Sequence, residues 1–262
     1  MISRNSFTFG LMPDTVIYAD RKKEEEKKQY EELDLGEIIQ VDFPDDQYYR
    51  QQTSKKQIVL HHTVSGQGVN GDINWWLQTS SRIATHIIVD WKGKIYQCYS
   101  SKYWGHHLGV KSDFIKKRGT KKSNVFLNKK SIGIEIDSWG GLIRFNRHWY
   151  PAKWDGDKNK MVANVDVGPI PMENVQVYSK PFRGFHAFER YTEEQILAVR
   201  KLLVFWKSKY GINLNYNSSM WDVNDDALNG KSGVWSHVSF RPDKSDCHPQ
   251  PELINMLKSL NG

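Results

Sequence analysis

Residues 57–62 read QIVLHH, and almost every position is apolar or imidazole. Such a short run fits a strand buried on both faces of an open sheet, as parallel strands are. KKSIGIEIDSW (129–139) reads as a second strand, with Ile132, Ile134 and Ile136 facing one way and Glu135 the other. Between these two, IATHIIVDWKGKIYQCYS (83–100) holds two alternating runs around Trp-Lys-Gly, the signature of a hairpin. Helices interleave with the strands. GDINWWLQT (71–79) places Ile73, Trp76 and Leu77 on one side. In RYTEEQILAVRKLLVFWKSKYGI (190–212), Thr192 and Gln195 form a capping box, Ile196, Val199, Leu203 and Trp206 make an apolar stripe, and Gly211 ends the helix. ELINMLKSL supplies a last helix. The order predicts an α/β fold, a central mixed β-sheet flanked by helices.

Composition narrows the class. At 262 residues the chain is long enough for one or two domains, and its 39% hydrophobic share is too high for disorder. No apolar run approaches the roughly 18 residues of a membrane span. The first twenty residues lack a sustained apolar stretch, so no secretory signal peptide is expected. Two cysteines make no disulfide framework. The net charge of +7 and the 13% aromatic content suit an anionic or carbohydrate-bearing partner. Residues 1–50 form an N-terminal extension of unknown role, in which RKKEEEKKQYEELD (21–34) reads as a solvated helix. Residues 51–262 form the main domain. Residues 143–185, rich in Trp, Pro, Gly and Asn, read as a long surface insertion.

Three places carry chemistry. His61 and His62 end the first strand, where neighbours point to opposite faces, so at most one joins a given site. A lone strand histidine is more often structural. SHVSFRPDKSDCHPQP (236–251) gathers His237, Asp246, Cys247 and His248 in a loop, and imidazole, thiolate and carboxylate are the usual zinc donors. A surface loop with a free thiol explains that spacing equally well. Glu135 among isoleucines either faces solvent or is buried, and burial would raise its pKa toward the range of a general base.

Five segments in order, IVLHHTVSG, ATHIIVDWKGKIYQ, YWGHHLG, SIGIEID and His-x9-Cys followed by His-Pro, resemble the zinc-dependent N-acetylmuramoyl-L-alanine amidases. That family includes bacterial and phage cell-wall amidases and the peptidoglycan-recognition proteins. The resemblance spans about residues 57–260. It implies a single-domain amidase fold that binds Zn2+ through His61, His237 and Cys247, with Asp246 as the near miss. Thr85 stands where some relatives carry a tyrosine base, which leaves Glu135, the base of the others, as the catalytic carboxylate. Two residues before the third ligand the family has Lys or Thr. Here that position is Ser245, with Lys244 taking the role if the loop register is shifted. His107, Trp104, Trp76 and Thr85 are expected at the substrate groove.

The implied reaction is hydrolysis of the amide between N-acetylmuramic acid and L-alanine in peptidoglycan, by a monomer. The missing leader suggests a phage or prophage lysin made in the cytoplasm, acting on the wall after release by a holin-type partner. A non-catalytic peptidoglycan-binding module of the same fold is the alternative, against which stands the complete set of ligands and base. Nucleic acid is not expected, because KKRGTKK (116–122) is the only basic cluster and solvent or anionic wall polymer explains it.

Overall fold

The computed structural model describes residues 2–3, 38–79 and 81–261. The expected helix at 21–34 lies outside them. In chain order the principal elements begin with β1 (Ile2–Ser3), β2 (Ile39–Val41), β3 (Gln57–His62), α1 (Asn70–Leu77), β4 (Ile87–Val89) and β5 (Ile95–Gln97). α2 (Ser112–Lys117), α3 (Asn124–Lys130), β6 (Ser131–Ile136), β7 (Gly141–Phe145), β8 (His148–Asp155) and β9 (Lys160–Ala163) follow. The chain ends with β10 (Val175–Phe182), β11 (Phe185–Glu189), α4 (Glu193–Tyr210), α5 (Asp225–Leu228), β12 (Gly233–Ser236) and α6 (Pro251–Ser259).

The first sheet runs β1-β2-β5-β4-β6-β3-β12. β3 pairs in parallel with β6 on one side and β12 on the other, while β4 and β5 form the expected antiparallel hairpin. The sheet is therefore mixed and the fold α/β. All six residues of β3 are buried, as their composition requires. Leu60, Ile87 and Ile134 share one core with Ile196, Val199, Leu203 and Trp206 of α4. That helix starts at the Thr192–Gln195 capping box and stops at Gly211, whose φ of 65° is one glycine adopts without a Cβ penalty. Ile88 joins a second core with Ile73 and Trp76 of α1, and with Val41, Phe43 and Tyr48. Residues 38–50 thus contribute a strand and the core side chains Ile38, Val41, Phe43 and Tyr48 to the main body.

The insertion has structure of its own. β10-β11-β7-β8-β9 form a second, wholly antiparallel sheet, with Leu142, Val175 and Ala187 as its small core. Its root touches the main domain, where Trp139 lies against Gly66 and Phe188 stacks on His248. No helix among the described residues is long and apolar enough to cross a membrane.

Candidate metal and catalytic site

Strand register builds the site. His61 and Glu135 are direct neighbours on β3 and β6, and Ile88 of β4 continues the row. Ser236 lies level with Leu60, so His237, the next residue, arrives beside His61. The loop after His237 folds back until the Val238 amide donates to the Asp246 carbonyl at 3.1 Å. His61 Nδ1 and His237 Nδ1 are then 3.0 Å apart, and Asp246 Oδ2 lies 2.8 Å from His237 Nδ1 and 3.3 Å from His61 Nδ1. All three side chains are buried, and their donor atoms fall within 4.8 Å of one another.

The remaining ring nitrogens are already engaged. His61 Nε2 meets His107 Nδ1 at 3.0 Å, and His237 Nε2 meets the Leu108 carbonyl at 2.8 Å. Both rings therefore turn Nδ1 to the same point. Burial, then the charge of His237, lowers the His61 pKa to about 4, which keeps the ring neutral as a metal donor must be. Burial opposes the Asp246 carboxylate, but His237 and His61 together outweigh it and hold its carboxyl well below the usual range. Two imidazoles and a carboxylate, buried and convergent, are a donor set that fits zinc.

The structure brings Asp246, and not the expected Cys247, to the two histidines. The Cys247 side chain does not join this group: its Sγ lies 2.8 Å from Tyr191 Oη and 3.9 Å from the carbonyl of His61. Burial raises its thiol pKa well above the ordinary value. Asp246 stands where Cys247 was expected, and Lys244 lies two residues before it, as Ser245 does before Cys247. Lys244 lines the cleft at the site together with Asp246, whereas Ser245 is not among the lining residues.

The cleft holds about 490 Å³ and includes His61, Thr85, His107, Glu135, His237 and Asp246. Glu135 is half-buried, and its Oε2 has no hydrogen-bond partner. Burial first, then the charges of Asp246 and Asp72, push its pKa well above the usual carboxylate value. Thr85 is buried and donates its hydroxyl to the Ile87 carbonyl. Of the two helical tryptophans, Trp75 is 56% exposed, while Trp76 is 6% exposed and packs edge-on against Phe43. Both rings line the cleft, Trp75 as the exposed one and the expected Trp76 from a buried position. Trp104 is absent from the cleft lining, because it is buried and stacked on Tyr49 with ring centres 3.9 Å apart. Both nitrogens of His107 are taken within the protein, Nδ1 by His61 and Nε2 by Ser131 Oγ at 2.8 Å.

Sequence reasoning missed Ser131, Gly133 and Tyr191. Gly133 carried a signal, as a lone glycine in an isoleucine strand marks a close approach. A Cβ there would lie 2.8 Å from Thr85 Cγ2 and 3.0 Å from His107 Nδ1.

Solved structures similar to the chain include PlyL, at 15% identity over 85% of this chain and 98% of that one, with a TM-score of 0.43. A mutant endolysin from Bacillus subtilis matches at 16% identity over 86% and 98%, with a TM-score of 0.45. The Staphylococcus aureus hydrolase AmiA, in complex with its ligand, matches at 12% identity over 85% and 82%, with a TM-score of 0.44. No match was found among the curated proteins. The family model described as N-acetylmuramoyl-L-alanine amidase matches residues 51–250. That span contains β3, β6, β12 and the loop to Asp246, so the residues that build the cleft are the ones the model covers, and the chain belongs to the N-acetylmuramoyl-L-alanine amidase family.

Proposed function

We propose that this chain is a zinc-dependent hydrolase of the amide bond between the lactyl carboxyl of N-acetylmuramic acid and L-alanine in peptidoglycan. One observation carries the reading: His61, His237 and Asp246 converge in a cleft beside Glu135, whose Oε2 is left without a partner. A binding-only module would need neither the complete donor set nor the free carboxylate.

Zinc held by these three side chains supplies Lewis acidity for attack on the amide carbonyl. The other roles belong to the chain itself. His237 presents its Nδ1 lone pair because its Nε2 donates to the Leu108 carbonyl, and His61 turns Nδ1 to the same point. Asp246 contributes the single negative charge, leaving the loaded site net positive. Glu135 takes the proton of the attacking water and returns it to the departing alanine nitrogen, acting first as base and then as acid. Lys244, two residues before Asp246, brings a cation to the oxygen on which charge develops. The chain's net charge of +7 favours approach to an anionic wall. The role as a phage or prophage lysin, released by a holin-type partner, extends the family resemblance and is tested by adding the protein to intact cells and following lysis.

Purified peptidoglycan incubated with the protein should yield new L-alanine amino termini and no new reducing ends. Glu135→Gln should retain zinc and lose turnover. Reducing ends without amine release would mark a glycosidase and overturn the reading.

A further inference from the structure

We propose that His107, fixed by Asn128 and Ser131, is a positioning residue that sets the ring tautomer of His61 for metal binding; this rests on the zinc reading above. A neutral imidazole has one proton and one lone pair. For His61 Nδ1 to offer its lone pair beside His237 and Asp246, the proton must sit on Nε2. The nearest acceptor for that proton is His107 Nδ1 at 3.0 Å. His107 must then carry its own proton on Nε2, 2.8 Å from Ser131 Oγ. Ser131 accepts it and directs its hydroxyl hydrogen to the Leu127 carbonyl at 2.8 Å. A backbone carbonyl can only accept, so this terminus gives the chain its direction. With the direction reversed, Ser131 would donate to His107, the Leu127 carbonyl would lose its hydroxyl donor, and His61 Nδ1 would be protonated where a metal must sit.

The surroundings hold this relay rigid. Asn128 is fully buried, and its Oδ1 accepts from the amides of His107 at 2.8 Å and Leu108 at 3.2 Å. Asn124 anchors Asn128 in turn, accepting from its Nδ2 at the backbone oxygen (2.8 Å) and at Oδ1 (3.0 Å). The Leu108 carbonyl then receives His237 Nε2. One clamped dipeptide therefore orients both histidines, His61 through the His107 side chain and His237 through the Leu108 backbone. Gly133 leaves the room that the His107 ring occupies. Metal-bound histidines commonly rest on a carboxylate, a carbonyl or water. Here His61 rests on a second imidazole, which can serve only while Ser131 holds its proton.

The test compares the full-length chain with His107→Leu, which removes the acceptor, and His107→Gln, whose amide can accept from His61 and donate to Ser131. Zinc affinity is read by competition with a chromophoric chelator, and the His61 tautomer by nitrogen NMR of the zinc-free protein. His107→Leu should weaken zinc about 10–100-fold and lose the pure Nε2–H form of His61. His107→Gln should restore most of both, and Ser131→Ala should shift both in the same direction by less. If His107→Leu fails to fold, His107→Gln and Ser131→Ala decide. Unchanged zinc affinity with an unchanged tautomer in the folded variants would overturn the proposal. If the wild-type chain binds no zinc, the functional reading fails, and the NMR measurement still decides the relay.

Discussion

Asp246 and Cys247 are adjacent potential donors, and the structure turns only the first toward the histidines. Tyr191 accounts for the difference. Its hydroxyl accepts from Cys247 Sγ at 2.8 Å and from the His248 amide at 3.2 Å, and it donates to His62 Nδ1 at 2.9 Å. One proton and two lone pairs are all in use, and the thiol is tied to the His62 side of β3, away from His61 and His237. Removing either donor should therefore have different consequences. A four-donor zinc site is worth roughly 10–16 kcal/mol, so one donor is worth about 2.5–4 kcal/mol, or about 10²–10³-fold in Kd. Asp246→Ala should lose zinc by that factor. Cys247→Ala should lose only a hydrogen bond and a small buried volume, about 1–2 kcal/mol of folding stability, and should bind zinc as the wild type does. Chelator competition measures the first quantity and denaturant unfolding the second. Cobalt in place of zinc gives a direct reading, because a sulfur ligand produces a near-ultraviolet charge-transfer band and a carboxylate does not. A sulfur band in the wild type, or a zinc loss on Cys247→Ala matching that of Asp246→Ala, would refute the reasoning.

Asp72, at the cleft, has its pKa raised to about 7 by burial and then by the charge of Asp137, against a hydrogen bond from Ser65. Because the folded pKa lies above the unfolded one, stability is full below about pH 4, falls as pH rises toward about 7, and stays lowered above that. The shift has a ceiling of about 4 kcal/mol, which solvent screening at this partly exposed carboxylate cuts to roughly 1–2 kcal/mol. Asp72→Asn should therefore raise Tm at about pH 8 and not at about pH 4; an equal gain at both would refute the assignment. Gly140 has φ of 69°, and a Cβ there would run into His62 Nε2. The His62 ring is confined by Tyr191, Phe188 and His248, so Gly140→Ala should cost at least about 1–2 kcal/mol in denaturant unfolding. An Ala variant as stable as wild type would show that the ring can retreat.

What the sequence revealed and what it withheld divide along physical lines. β3 was legible because a central parallel strand is buried on both faces, which leaves a largely apolar run, and β6 because its isoleucines alternate along one face. Helix α4 was legible because its cap, stripe and stop are all local. The insertion strands were not, since their burial mixes exposed and half-buried positions over short lengths: Trp154 and Met161 pair across β8 and β9 and are 59% and 43% exposed. Which of the two adjacent helical tryptophans is exposed was equally opaque: both line the cleft, and only Trp75 presents its ring to solvent. The same limit governs the third ligand. A loop has no period, so which of Asp246 and Cys247 points inward depends on partners distant in the chain, and Tyr191 reads in isolation as one more residue before a helix cap. That single turn of the loop bears on two proposed roles at once. With Asp246 as the donor, the residue two positions earlier is Lys244; with Cys247 as the donor, it is Ser245. The two assignments therefore stand or fall together: a cobalt spectrum that puts sulfur on the metal would also return the oxyanion position to Ser245.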